Sequence, residues 1–270
     1  MSVVAAALLG IVQGLTEFLP VSSSAHLILA RAFFGWDAGA LGLPFDLACH
    51  VGTLVAVVVF FWGDLSAMAR AIPLAFSARP GPAGRRLWLI AAGTVPVVIV
   101  GGLVWTDAVE TATRTPAVAA TMLLAGAVLL FVVERLGTRG AGEERLTPAG
   151  AFAIGVAQTA ALVPGVSRSG ATIATGMALG LTRETAARFT FLLSVPAIVA
   201  AAAKKGLDLR DLPFTSADAT MFAVGFVTSG VVGYLTVKYF IRFLATHRLD
   251  VFAWYRIALA GLTFAWLGTR

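Results

Sequence analysis

The sequence predicts an all-α integral membrane protein with six transmembrane helices and two re-entrant helical hairpins, arranged as an inverted-topology internal repeat. Three observations carry this reading. First, 59% of the 270 residues are hydrophobic and only 13% are charged, about half the charge of a soluble domain. That leaves too little polar surface to cover a globule in water. Second, six continuous apolar runs are long enough to cross a hydrocarbon core of about 30 Å, which takes roughly 20 helical residues. Third, two further apolar stretches are interrupted by polar turns and match each other in sequence.

Along the chain, residues 2–34 form the first interrupted stretch, broken by Glu17, Pro20 and the run Ser22, Ser23, Ser24. Three continuous runs follow at 45–62, 87–105 and 116–133. The second interrupted stretch, 149–181, is broken by Pro164, Gly165 and Ser167-Arg168-Ser169, and three more runs follow at 189–203, 219–240 and 251–267. Neither half of an interrupted stretch spans alone. Both stretches therefore read as hairpins that enter the membrane and return, a path open only where the turn is buried in protein or lines water.

The two hairpins align without a gap at an offset of 145, pairing Gly10 with Gly155, Gln13 with Gln158, Ser22 with Ser167 and Ser24 with Ser169. Repeat one covers 1–136 and repeat two 147–270, within a single membrane domain, 1–270. Three spans per repeat is an odd number, so the second copy is inverted relative to the first, an architecture that places binding sites near the midplane at broken helices. Counting Lys and Arg puts thirteen on one side, among them Arg70, Arg79, Arg139, Arg183, Arg248 and Arg256, against six on the other: Arg31, Arg114, Lys204, Lys205, Arg210 and Arg270. By the positive-inside rule the richer side is cytoplasmic, and the loop 106–115 lies outside. The first hairpin then enters from outside and the second from the cytoplasm.

Composition also excludes several function classes. The net charge of +6 fits cytoplasmic loops facing anionic lipid rather than nucleic-acid binding. The single cysteine, Cys49, forms no internal disulfide, and His26, His50 and His247 lack zinc-site spacing with it. No P-loop or dinucleotide-binding glycine signature occurs. The N-terminal apolar stretch has no basic leader and runs into Glu17, so a cleaved signal peptide is not expected.

An ionisable group inside the membrane costs about 2.5–3.5 kcal/mol on insertion scales, which makes Glu17 and Arg168 functional candidates. Gln13 and Glu17, four apart on one helical face, offer oxygen ligands for a hard cation, Mg2+ or Ca2+. Ser22, Ser23, Ser24, Ser167 and Ser169 each precede an apolar helix, where they cap or, with two helix N-termini converging, form an anion site. Arg168 adds a fork suited to phosphate oxygens, while Gly165 and Gly170 permit close backbone approach. His26, one turn after the serines, has the chemistry to take a proton from Ser23 or water, or to accept a phosphoryl group. His50 and Asp46 suit either support of that site or an interfacial position, and His247 reads as solvated surface.

The run Gln13-Gly14-Leu15-Thr16-Glu17-Phe18-Leu19-Pro20-Val21-Ser22-Ser23-Ser24-Ala25-His26 and the run Pro164-Gly165-Val166-Ser167-Arg168-Ser169-Gly170-Ala171-Thr172 resemble the undecaprenyl pyrophosphate phosphatase family, also called bacitracin-resistance proteins. Gln13 stands where many members carry Glu. The resemblance implies hydrolysis of undecaprenyl pyrophosphate to undecaprenyl phosphate and inorganic phosphate, which renews the lipid carrier for cell-wall synthesis. It implies dependence on a divalent cation held by Gln13 and Glu17, catalysis by Glu17, His26, Ser23 and Arg168, and pyrophosphate binding by Ser22, Ser24, Gly165, Ser167, Arg168, Ser169 and Thr172. Ser23, His26 and water all remain open as the nucleophile. The partners implied are the lipid substrate and membrane lipid, with bacitracin competing for the substrate. The location implied is the bacterial cytoplasmic membrane with the site open to the outer side; the oligomeric state is left open, a homo-oligomer included. The alternative reading is a carrier that flips polyprenyl phosphate at the same anion site.

Overall fold

A computed structural model describes residues 2–36, 42–77, 81–137, 140–209 and 215–269. Twelve α-helices lie among the described residues. The first interrupted stretch forms α1 (Val3–Thr16) and α2 (Ser23–Phe34), and the second forms α8 (Pro148–Ala160) and α9 (Arg168–Ala178). Each pair is joined by a short turn at the polar break read from the sequence. The long helices are α3 (Gly42–Phe60), α5 (Gly81–Ile99, continued by the π-turn Val100–Val104), α7 (Pro116–Leu136), α10 (Arg183–Leu209), α11 (Ser216–Leu244) and α12 (Asp250–Gly268). These six are long and apolar enough to cross a membrane.

Two short helices, α4 (Trp62–Ala71) and α6 (Asp107–Thr113), were not expected. α6 falls within the segment read as the loop 106–115, and the Thr106 side chain caps it by accepting from the Val109 N–H. α4 carries Asp64 in its first turn and Arg70 in its last, the polarity that the helix dipole favours. α4 is amphipathic, and both helices are too short for an apolar-run criterion to register. The long helices also outrun their apolar segments. α10 starts six residues before 189 because Arg183 at its head donates two hydrogen bonds to Glu134 of α7.

Small residues bring the helices together, as suits an environment where lipid is as apolar as leucine and association rests on close packing. Gly10 and Gly14 of α1 lie against α11, where a Cβ at Gly10 would come 2.8 Å from the Gly225 carbonyl oxygen. Gly155 of α8 lies against α5, where a Cβ would come 2.2 Å from the Gly93 carbonyl oxygen. Thus the first helix of each hairpin packs on the second long helix of the other half, α1 on α11 and α8 on α5. α3 and α10 pack together, as do α7 and α12. Phe18, Phe61, Phe191 and Phe240 make a buried aromatic cluster under the first turn. Val128, Val132, Trp254 and Leu262 point outward, the lipid-facing surface of a multi-pass membrane protein.

Candidate active site

The site is built where the two hairpin turns meet. Ser22 and Ser167, repeat mates, have φ of 70° and 74° and are the non-glycine residues with positive φ among those described. Such conformations cost about 1–3 kcal/mol each and persist only where their surroundings hold them. Gly165, with φ of 102°, completes the second turn; a Cβ there would press to 2.4 Å on the Ala119 carbonyl oxygen.

Serine hydroxyls stitch the turns together. Ser167 caps α9 by accepting from the Gly170 N–H at 3.1 Å. Ser22 does not cap α2; its Oγ accepts from the Gly165 N–H of the opposite turn at 3.1 Å. In return Ser169 donates to the Leu19 carbonyl at 2.9 Å. Within each turn the flanking hydroxyls sit 3.2 Å apart, Ser22 with Ser24 and Ser167 with Ser169.

Behind both turns lies Arg256 of α12, wholly buried. Its guanidinium donates to the carbonyls of Pro20 in the first turn, of Gly165 and Val166 in the second, and of Met122 and Leu123 in α7. The sequence count that put Arg256 among cytoplasmic loop charges is therefore corrected: it is a buried cross-link at the centre of the site. Gly126 makes room for it, since a Cβ there would lie 1.8 Å from Nη2. Arg79, Arg139, Arg210 and Arg270 of the same count lie outside the described residues.

On the other side of the turns stands Glu17, 7% exposed. Arg168, at the head of α9, is ion-paired to its Oε1. Ser23, at the head of α2, donates to its Oε2 at 2.6 Å, and the Gln13 amide donates to the same oxygen at 2.7 Å. Gln13 Oε1 is buried with no hydrogen-bond partner among the described residues. His50 of α3, left outside the expected set, brings Nε2 to 3.6 Å from Glu17 Oε2. Asp46 turns away to pair with Arg31 and Arg114.

The remaining expected residues are placed as follows. Thr172 is buried and uses its hydroxyl within α9, donating to the Arg168 carbonyl at 2.7 Å while accepting from Thr190 at 3.0 Å. His26 does not reach Ser23 or Glu17: Nδ1 is 2.7 Å from the Ser22 carbonyl and Nε2 is 2.7 Å from the Tyr255 hydroxyl. His247 is exposed and stacked on Phe243. Reasoning from sequence missed Tyr255 and Arg256, and left His50 between support of the site and an interfacial position. For Arg256 a signal existed, an ionisable residue inside the apolar run 251–267, the criterion that selected Glu17 and Arg168.

A carboxylate, a serine hydroxyl bonded to it and an arginine thus converge between two helix N-termini. Such an arrangement has the chemistry to hold phosphate oxygens and to activate an oxygen nucleophile. The model of the family described as bacitracin resistance protein BacA matches residues 6–262. The chain is 49% identical over 265 residues to an undecaprenyl-diphosphatase of Rubrobacter xylanophilus, covering 97% of each chain. It is 41% identical over 263 residues to one of Pelotomaculum thermopropionicum, covering 97% of this chain and 95% of the relative. It is 43% identical over 257 residues to one of Nitrosococcus oceani, covering 95% of this chain and 96% of the relative.

Proposed function

The chain belongs to the bacitracin resistance protein BacA family, and from that premise we propose that it hydrolyses undecaprenyl diphosphate to undecaprenyl phosphate and inorganic phosphate. The observation that carries this is the triad of Glu17, Ser23 and Arg168, drawn from two hairpins and closed by hydrogen bonds. The phosphatase reading has the support of the relatives' names; the carrier alternative has none among them.

The geometry gives a mechanism. In the free enzyme Arg168 is paired to Glu17. The terminal phosphate of the substrate, cradled by the α2 and α9 N-termini, takes Arg168 over, so that Glu17 keeps only its neutral donors and His50. Ser23 Oγ, 2.6 Å from Glu17 Oε2, attacks the terminal phosphorus while Glu17 takes its proton. The P–O bond to the bridging oxygen breaks, and undecaprenyl phosphate leaves with the bond's electrons. Glu17 passes that proton to the departing undecaprenyl phosphate and is a carboxylate again. Water then attacks the phosphoserine phosphorus while Glu17 takes a proton from it and hands it to the Ser23 oxygen as the P–O bond to serine breaks, so that inorganic phosphate departs and both Ser23 and the Glu17 carboxylate are restored. Arg168 and the two helix ends stabilise charge on the transferred group, as phosphoryl transfer requires.

The donor set fits a divalent cation, because Glu17 and the orphaned Gln13 Oε1 are hard oxygen ligands one helical turn apart. Gln13 and Glu17 would hold Mg2+ or Ca2+, which when bound neutralises diphosphate charge. The hairpins are re-entrant in this reading. Their helices have 14, 12, 13 and 11 residues, at 1.5 Å per residue each well short of the bilayer core of about 30 Å. The reciprocal packing of α1 on α11 and α8 on α5 supports two inverted repeats. The arginine-rich ends around Arg70, Arg183 and Arg248 support a cytoplasmic-membrane protein whose site opens to the outer side. Bacitracin, by sequestering the lipid substrate, competes with the enzyme.

Phosphate release from a polyprenyl diphosphate by purified protein in detergent tests this reading. Release with Mg2+ or Ca2+, absent with a chelator and lost in Arg168→Ala, is the expected result. No release from folded wild type under either condition overturns it.

A further inference from the structure

Tyr255 lies on α12, 229 residues from His26 in sequence, yet its hydroxyl is 2.7 Å from His26 Nε2. The two rings are stacked, 5.6 Å between centroids with 3° between planes. The other ring nitrogen, Nδ1, is 2.7 Å from the carbonyl oxygen of Ser22. A carbonyl only accepts, so Nδ1 carries the proton. In the neutral ring Nε2 then has a lone pair, and the Tyr255 O–H donates to it. Both edges of the imidazole are thus engaged, one by the backbone of the strained Ser22 and one by α12.

Neighbouring Arg256 is anchored to the same turn through Pro20 and to the second turn through Gly165 and Val166. Tyr255 is therefore held in place by its neighbour although its own ring is 47% exposed. The Ser22 carbonyl also accepts from the His26 backbone N–H at 3.2 Å, so His26 binds that carbonyl twice. Rotating the ring would release the hydrogen bond that fixes Ser22, the residue immediately before Ser23.

We propose that Tyr255 is a positioning residue: its hydroxyl holds His26 in the Nδ1–H form, so that His26 locks the Ser22 turn and aims Ser23 at Glu17. This assigns His26 to geometry rather than to proton transfer with Ser23, and it rests on the phosphatase reading. A partner of this kind, which supplies one ring edge so that the other takes a fixed hydrogen bond, is how imidazole orientation is generally set.

The test has two independent readouts on the full protein in detergent. The first is 15N NMR of the histidine side chains, of which the chain has three, with the His26 signals identified by their loss in His26→Gln. Wild type should show neutral His26 protonated at Nδ1, and Tyr255→Phe should move its Nε2 signal. An Nε2–H tautomer in wild type, or unchanged signals in Tyr255→Phe, overturns the proposal without reference to turnover. The second is steady-state kinetics of Tyr255→Phe, which removes one oxygen from a half-exposed ring. One hydrogen bond that orients the nucleophile is worth about tenfold, so kcat should fall about tenfold with KM within twofold. A kcat within twofold of wild type, or a change confined to KM, overturns it. Absence of turnover in wild type would count against the phosphatase reading instead and leaves the NMR criterion to decide the proposal.

Discussion

The two hairpin turns share a backbone and differ in chemistry. At the offset of 145, Gly10, Gln13, Ser22 and Ser24 recur as Gly155, Gln158, Ser167 and Ser169. These recurring residues make the helix contacts and the left-handed serine conformations at 70° and 74°. The reactive groups do not recur: Glu17 faces Leu162 in the alignment, Ser23 faces Arg168, and His26 faces Ala171. In the proposed mechanism the first turn supplies the base and nucleophile, and the second supplies the arginine. Gln158 shows what remains when the acid is missing. It is 2% exposed with both amide atoms unpartnered among the described residues, whereas Gln13 donates to Glu17. Duplicated positions build the scaffold, and in the proposed mechanism the diverged positions carry the reaction.

Exchanging a diverged residue should therefore affect turnover, while changing a shared one should affect stability. The largest effect is expected at Arg168→Ala, where kcat should fall about 10³-fold or more, as for loss of an arginine that stabilises a transferred phosphoryl group. Glu17→Gln should cost about 10²–10⁴-fold, the range for a general base. Neither should lower the thermal midpoint in detergent by more than a few degrees; if either protein unfolds at purification temperature, the division of labour fails. Arg256, which serves both turns, comes next. Arg256→Leu strips the donors from five buried carbonyls and should destabilise by about 3 kcal/mol or more, read as a lower thermal midpoint, with Arg256→Lys recovering part of it.

The shared seams should respond in order of their tightness. Gly155→Ala would place its Cβ 2.2 Å from the Gly93 carbonyl oxygen, against 2.8 Å from that of Gly225 for Gly10→Ala. Both should fall in the overpacking range of about 1–3 kcal/mol, with Gly155→Ala the more destabilising in thermal melts. The reverse order would show that the Thr228 hydroxyl beside Gly10, and not the backbone, sets the fit. The smallest effect is expected at the α9 cap. Ser167→Ala should lose about 1 kcal/mol of stability, with kcat reduced less than tenfold in the phosphate-release assay.

Much of this was legible in the sequence because membrane helices are written as continuous apolar runs. Four of the six long helices contain the whole of the runs read for them, while α3 stops at Phe60, two residues short of its run, and α5 with its π-turn stops at Val104, one residue short. Their ends were not legible where charged residues extend the helix, as at Arg183, and the short helices α4 and α6 carry no such run. Glu17 and Arg168 were legible as ionisable residues in apolar surroundings, whereas their pairing with each other is seen only in the structure. The positive φ of Ser22 and Ser167 was hidden, since serine at a helix start ordinarily signals a cap, the role that Ser167 fills and Ser22 does not. Arg256 carried a signal, an ionisable residue inside an apolar run, but Tyr255 carried none, and nothing local tied either to the two motifs far from them in sequence. What brings them to the turns is the packing of α12 on α7, a tertiary contact with no local sequence mark.

The central claim is that the first turn carries the nucleophile and the second the cation. It is tested most directly by rapid acid quench of the enzyme with polyprenyl diphosphate labelled in its terminal phosphate, followed by peptide mapping. The account predicts label on Ser23, absent in Ser23→Ala and retained at saturating substrate, though formed more slowly, in Arg168→Ala. Label on His26 or on Ser167, or full turnover by Ser23→Ala, would contradict it.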